Sequence, residues 1–186
     1  MPGIKTRCIH RCRSKFRPLY LHHRPHTCII GRQKLAGRLI AIEPNRWVLE
    51  SLRAHIALNG LTGVEIHETA VGAGRHTATL LPGGPGASAL SRIVAAHPDG
   101  YQIDVVSLDE MLSFSGNPLV IKIDVEGYEL EVLEGAKTLL TQNYGYAQIE
   151  SFEERRAGQV VKKMAGCGWQ LSDHIVDDLV FRRGAD

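Results

Sequence analysis

The chain has 186 residues, room for one domain with a substantial core and too few for two ordinary ones. Hydrophobic residues make up 44% and charged residues 23%. No apolar run approaches the ~20 residues that span a bilayer, so a helical membrane protein and a wholly disordered chain are both excluded.

The net charge of +2 conceals an asymmetry. Residues 1–34 hold nine of the 22 Lys and Arg and none of the 20 acids, whereas residues 35–186 carry 13 bases against 20 acids. The same basic segment holds Cys8, Cys12 and Cys28, three of the four cysteines, together with His10, His22, His23 and His26. The expected organisation is an irregular, atypical segment over residues 1–34 followed by an α/β domain over residues 35–186. No apolar stretch followed by a small-residue cleavage site opens the chain, so the cytoplasm is the expected compartment.

The basic segment has several readings. Cys8-x3-Cys12 and His22-x3-His26 loosely resemble a zinc site, but nine residues separate Cys12 from His22 and no apolar core positions accompany them, so no metal is assigned. A nucleic-acid-binding arm, or an Arg-rich targeting peptide, suits the charge; the many Cys and His residues and Pro18 and Pro25 suit neither. A nucleic-acid-binding protein using this arm is the alternative function. Its affinity would fall steeply with salt, and the acidic body would repel phosphate.

From Leu39 onward, short apolar runs alternate with amphipathic stretches, the pattern of an α/β sheet. Arg38 to Ile42 reads as a buried strand ended by Glu43-Pro44-Asn45. Asn45 caps a helix with Val48, Leu49, Leu52 and Ile56 on one face, and Asn59-Gly60 stops it. A strand from Val64 to His67 leads into Ala70-Val71-Gly72. Residues 76–80 and 102–108 are expected strands flanking a Gly- and Pro-rich loop at 81–88, which lacks the Lys-Ser/Thr ending of a phosphate-binding loop.

Leu119 to Ile123 is the next buried strand, ending in Asp124-Val125-Glu126-Gly127. The helix after it carries Leu130, Leu133, Ala136 and Leu140 on one side, with Glu126, Glu129 and Glu131 near its positive end. Ala147 to Ile149 forms another strand with Glu150 at its edge. A helix with Val160, Val161 and Met164 follows, stopped by Gly166-Cys167-Gly168. Trp169 to Ile175 and Leu179 to Arg182, joined by Val176-Asp177-Asp178, read as an antiparallel hairpin.

Ligands of open α/β sheets bind beyond the carboxyl ends of the strands, where Glu43, Asp124 and Glu150 are expected. A carboxylate there offers two acceptor oxygens to the adjacent hydroxyls of a ribose, a role that fits Glu43, although a helix-start acid fits as well. Asp124 and Glu126, two residues apart before a glycine, are suited to orient a substrate hydroxyl or take its proton. A turn and helix cap is the plainer use of the same residues. The two acids could also bind a divalent cation, but two carboxylates are too few to assign one.

Ile42-Glu43-Pro44-Asn45, Asn59-Gly60-Leu61, Ala70-Val71-Gly72, Leu108-Asp109-Glu110 and Ile121 to Glu129, in this order and spacing, resemble the FkbM-type methyltransferases. The resemblance covers roughly residues 37–155. It implies a Rossmann-like class I methyltransferase sheet with helices on both faces, S-adenosylmethionine as cofactor, and methylation of a hydroxyl on a secondary metabolite or sugar. It further implies cofactor contacts by Glu43, Ala70 and Asp124, catalysis by Asp124 and Glu126, and acceptor binding by Glu150. The expected partner is a small-molecule or glycan acceptor, with neither nucleic acid nor membrane.

One departure stands out. The family begins with a strand and a turn of the type Asp-Val-Gly-Ala-Asn-x-Gly, and nothing like it precedes Leu39. A reading-frame change upstream of about Leu35 accounts for the junction. With synonymous codons chosen for Arg11 to Pro25, the frame one nucleotide on spells Asp-Val-Gly-Ala-Asn-Ser-Gly-Leu-Tyr-Thr-Phe-Ile-Ile-Ala-Arg. The first strand is thus expected to be degenerate or missing, with Thr27-Cys28-Ile29-Ile30 as the one run of strand character available, and cofactor binding is expected to be impaired. A nicotinamide-dependent oxidoreductase would need Gly-x-Gly-x-x-Gly there, which neither frame supplies.

Overall fold

The computed structural model describes residues 38–83 and 91–185. The zinc-like pattern of Cys8, Cys12, His22 and His26, the run Thr27 to Ile30 and most of the loop at 81–88 lie outside the described residues.

The chain begins with β1 (Leu39–Ile42), α1 (Arg46–Leu58) and β2 (Val64–His67). β3 (Ala70–Val71), β4 (His76–Leu81), β5 (Arg92–Val94) and β6 (Tyr101–Val106) follow. Then come α2 (Leu108–Met111), β7 (Pro118–Ile123), α3 (Glu129–Glu134), α4 (Lys137–Gln142) and β8 (Tyr144–Glu150). The last elements are α5 (Glu154–Gly166), β9 (Gln170–Ile175) and β10 (Asp178–Arg183). No helix among the described residues is long and apolar enough to cross a membrane.

The described strands form three sheets where one was expected. β1 and β2 are a parallel pair with Leu39 opposite Val64 and Ile42 opposite His67. β7, β8, β10 and β9 lie in that order; β7 runs parallel to β8, and β10 antiparallel to both β8 and β9. β3, β6, β4 and β5 form the third sheet, with β3 parallel to β6 and β4 antiparallel to its neighbours. Among the described residues, the edge of β1 away from β2 and the edge of β7 away from β8 have no partner strand.

Local sequence explains most of the elements. Asn45 caps α1 by accepting from the Trp47 N–H; Val48, Leu49 and Leu52 are buried, and Leu49 and Leu52 pack with Ala41. Burying each such side chain contributes about 1.5–3 kcal/mol. The main core lies between α3, α4, α5 and the β7 to β10 sheet, around Ile123, Leu133, Ile149, Met164, Trp169 and Phe181, and Ile40 and Ile42 of β1 pack against it. Trp169 buries its indole there and donates Nε1–H to the Leu140 carbonyl at 2.9 Å.

Three expectations are corrected. The strand expected to reach residue 108 stops at Val106, because Ser107 closes a capping box with Glu110 and opens α2. The single helix expected to carry Leu130, Leu133, Ala136 and Leu140 is two helices, interrupted at Gly135 and Ala136. Gly135 meets the end of the β3 segment, where a Cβ on it would lie 1.9 Å from the Gly72 carbonyl oxygen. The Gly135 carbonyl accepts from the Asp109 N–H, and the Asp109 carboxylate accepts from Thr138 N and Leu139 N, each at 2.8 Å. Asp109 therefore serves as the cap of α4. Gly166, expected to stop α5, is its last residue, and the stop falls at Cys167 and Gly168.

Since the atom facing Gly135 is backbone, Gly135→Ala should destabilise the chain by about 3 kcal/mol or more. Gly74→Ala, where an added Cβ meets nothing within 4 Å, should change stability by less than about 0.5 kcal/mol. Urea denaturation midpoints of the two variants check the contrast.

Candidate active site

The three expected acids stand at strand ends. Glu43 follows β1, Asp124 follows β7, and Glu150 is the last residue of β8. Because Ile123 lies opposite Ile149 in a parallel pair, Asp124 and Glu150 emerge from neighbouring strand ends.

Lys122 joins them. Two residues before Asp124 on the same strand face, it places Nζ 3.3 Å from Asp124 Oδ2, 3.9 Å from Glu150 Oε2 and 3.9 Å from Asp178 Oδ1. Asp178 opens β10 directly opposite Glu150. The turn before it is tied to β8 by the Ser151 N–H, which donates to the Asp177 carbonyl at 2.8 Å. The Asp124 and Glu150 carboxyls thus flank the same ammonium, within 3.3 and 3.9 Å of Lys122 Nζ.

The electrostatics follow from this crowding. Burial, then the hydrogen bond and charge of Asp124, push the Glu150 carboxyl up to about 7; Asp178 adds to the shift and Lys122 opposes it. Burial works against the Lys122 ammonium, but Asp124, Asp178 and Glu150 together outweigh it and leave its pKa raised.

The turn after β7 is held tightly. Glu126 (φ +47°) and Gly127 (φ +95°) are both left-handed, and glycine takes that conformation without a Cβ penalty. Glu129, 1% exposed, accepts from the Gly127 N–H at 2.8 Å, and Arg156 of α5 donates to the Gly127 carbonyl. Arg156 Nε lies 3.7 Å from Glu129 Oε2, closing the clamp. Burial raises the Glu129 pKa despite that backbone donor.

Glu43 is built into a different set of contacts. It is 7% exposed, accepts the Asn45 N–H on Oε1 at 2.7 Å, and donates its own N–H to the His67 carbonyl at 3.0 Å. Tyr101 lies beside it; burial, with the Glu43 charge adding, raises the phenol. Ala70 is buried in β3 opposite Val105. Two residues on, a Cβ at Gly72 would lie 3.0 Å from the Tyr128 ring, so β3 leads directly to the turn after Asp124.

The structure thus gathers Asp124 and Glu150 around Lys122, sets Glu126 on the adjoining turn, and seats Glu43 and Ala70 at β1 and β3. Sequence reasoning missed Lys122 and Asp178. A lone cation inside the apolar run Leu119 to Ile123 was the available signal for the first. For the second the only signal was an acid at the start of a hairpin strand. Among the described residues, no group of three or more His, Cys, Asp or Glu is placed to hold a metal ion.

The sequence profile of the methyltransferase FkbM domain matches residues 22–171. This chain belongs to the FkbM methyltransferase family. The crystal structure of the FkbM methyltransferase from Methylobacillus flagellatus KT superimposes with a TM-score of 0.53 at 19% identity, over 78% of this chain and 36% of that one. The likeness shows a shared α/β fold, and this chain spans about a third of that protein's length. Among curated proteins none matches significantly. The motifs at Glu43, Ala70, Asp109 and Asp124 therefore lie inside the family's matched span.

The raised Glu150 carboxyl has a consequence for stability. Its pKa of about 7 in the fold lies above the ordinary 4.5, so between those values the folded chain holds more proton than the unfolded one. Stability from this group is present below the lower value and is lost as pH rises toward 7. Glu150→Gln should remove that loss, raising the urea midpoint relative to the unaltered chain more at pH 8 than at pH 5.

Proposed function

We propose that this family member transfers a methyl group from S-adenosylmethionine to a hydroxyl oxygen of a small-molecule or glycan acceptor of the secondary-metabolite or sugar class. The observation that carries this reading is the placement of Asp124 and Glu150 at the ends of two parallel strands, around one lysine, inside the span matched by the family profile. Under this reading the strands belong to one Rossmann-like sheet in the order β2, β1, a first strand, β7, β8, β10, β9. The free edges of β1 and β7 among the described residues support such an order, and the antiparallel β9–β10 pair is its C-terminal hairpin.

The residues suit the cofactor. Acids along the strand ends are electrostatically matched to a cationic sulfonium, and the buried Glu43 carboxylate suits the paired hydroxyls of a ribose. Ala70, at the start of the segment leading to Gly72, would line the nucleoside side. When bound, the cofactor supplies a methyl group already activated by its sulfonium charge.

What remains for the protein is alignment, worth up to ~7–11 kcal/mol, and removal of the acceptor proton. Asp124 is the base for that proton, a contribution of about 10²–10⁴-fold. Glu150 holds the acceptor through its carboxyl, and Glu126, on the clamped turn, orients the hydroxyl. Residues 1–34 contain only Gly3 and Gly31 as glycines and no glycine turn to cradle the methionine part, so cofactor affinity is reduced in this chain.

Thermal-shift titration with S-adenosylmethionine tests both parts. A competent site at 100 times its dissociation constant gains ~2.7 kcal/mol; the unaltered chain should gain far less. Replacing residues 11–25 by Asp-Val-Gly-Ala-Asn-Ser-Gly-Leu-Tyr-Thr-Phe-Ile-Ile-Ala-Arg should restore most of the gain, and Glu43→Gln in that background should reduce it again. No gain in the replaced chain would overturn the cofactor assignment, and a full gain in the unaltered chain would overturn the impairment.

A further inference from the structure

Lys122 has no part in the roles assigned above, yet among the described residues it is the cation that meets carboxylates from β7, β8 and β10. It approaches Asp124 most closely, at 3.3 Å against 3.9 Å for Glu150 and Asp178. Its side chain is 18% exposed, and that of Asp124 13%, so water screens the contact only in part. Glu150, in turn, faces Asp178 squarely across the β8–β10 ladder, and like charges directly opposite one another are unfavourable.

These placements decide which of the two neighbouring carboxyls, Asp124 or Glu150, more readily keeps a proton. Ionising Asp124 leaves its charge beside the ammonium. Ionising Glu150 instead puts a second negative charge against Asp178. We propose that Lys122 is a positioning residue that keeps Asp124 ionised as the proton acceptor while Glu150 retains the pair's single proton.

The proposal rests on the methyltransferase reading for the identity of the proton donor, the acceptor hydroxyl. In the step it serves, that O–H bond breaks, its electron pair stays on oxygen for the new C–O bond, and the proton passes to Asp124. The charged groups acting on Glu150 are Asp124, Lys122 and Asp178, and variants of Lys122 and Asp178 separate their contributions below.

Side-chain carboxyl NMR titration of the full chain reads the proton directly, without cofactor or turnover. One carboxyl of the pair should titrate near 7 and its partner well below. Lys122→Met should raise the upper midpoint by about one pH unit, a tenfold gain in proton affinity. Lys122→Arg, which keeps the charge, should return it to the starting value, and Asp178→Asn should lower it. An unmoved midpoint in folded Lys122→Met, or a Lys122→Arg chain that behaves like it, overturns the proposal. If Lys122→Met does not fold, Lys122→Arg and Asp178→Asn decide: a lowered midpoint in the latter with an unchanged one in the former supports it, and any other pattern overturns it. The cofactor titration on the same samples is independent. The expected midpoints with no cofactor gain in the glycine-turn background would sink the methyl-transfer reading while leaving the placement of the proton intact.

Discussion

The rim of the β7 to β10 sheet depends on a balance of charge around one ammonium. Two unit charges 4 Å apart interact by about 4 kcal/mol near a protein surface, so Asp124, Glu150 and Asp178 gathered with no cation and no proton would push the three strand ends apart. Lys122 answers part of that repulsion, and the raised affinity of the Glu150 carboxyl for its proton answers more. Backbone register makes the gathering unavoidable: Ile123 beside Ile149 brings Asp124 to Glu150, and Asp178 is paired with Glu150 across the ladder. The apolar core beneath fixes that register, because a slip by one residue would turn Ile123, Ile149 and Phe181 outward.

The turn that carries Asp124 and Glu126 is fixed from two further directions. From α5, Arg156 grips the Gly127 carbonyl while Glu129 holds the Gly127 N–H. From the third sheet, Gly72 presses on Tyr128 and its carbonyl on Gly135, and Asp109 locks the same junction by capping α4. Several of the short motifs that mark the family thus meet at one spot. Their side chains mostly do structural work there, leaving Asp124 as the motif acid on the strand rim beside Glu150.

Much of this was legible in the sequence for local reasons. An acid immediately after an apolar run announces a strand end, which located Glu43, Asp124 and Glu150, and helix periodicity found α1 and α5. What stayed hidden depends on contacts distant in sequence. The break at Gly135 arises from Gly72, more than sixty residues away in sequence, and leaves the apolar spacing of Leu130, Leu133 and Leu140 undisturbed. Asp178 becomes part of the rim only because β10 lies beside β8. Lys122 sits in a run whose neighbours face the core, and a single cation there reads as a solvent-facing alternation.

The two halves of the candidate site are held by different means. Asp124, Glu150 and Asp178 are joined through a continuous ladder from β7 to β10. Glu43 is anchored to β2 through the His67 carbonyl, and β1 reaches the main core through Ile40 and Ile42. Between β1 and β7 no described strand carries the ladder across. In a sheet interior each unmet N–H or carbonyl costs about 1–3 kcal/mol, so the spacing of Glu43 from Asp124 depends on what occupies those two edges. A nucleoside that must touch both acids is sensitive to that spacing, because a misplacement of about 1 Å can cost 10²-fold. Proton binding around Lys122 is confined to one ladder and does not depend on it. Loss of cofactor affinity and retention of the acid pair are therefore compatible in one chain.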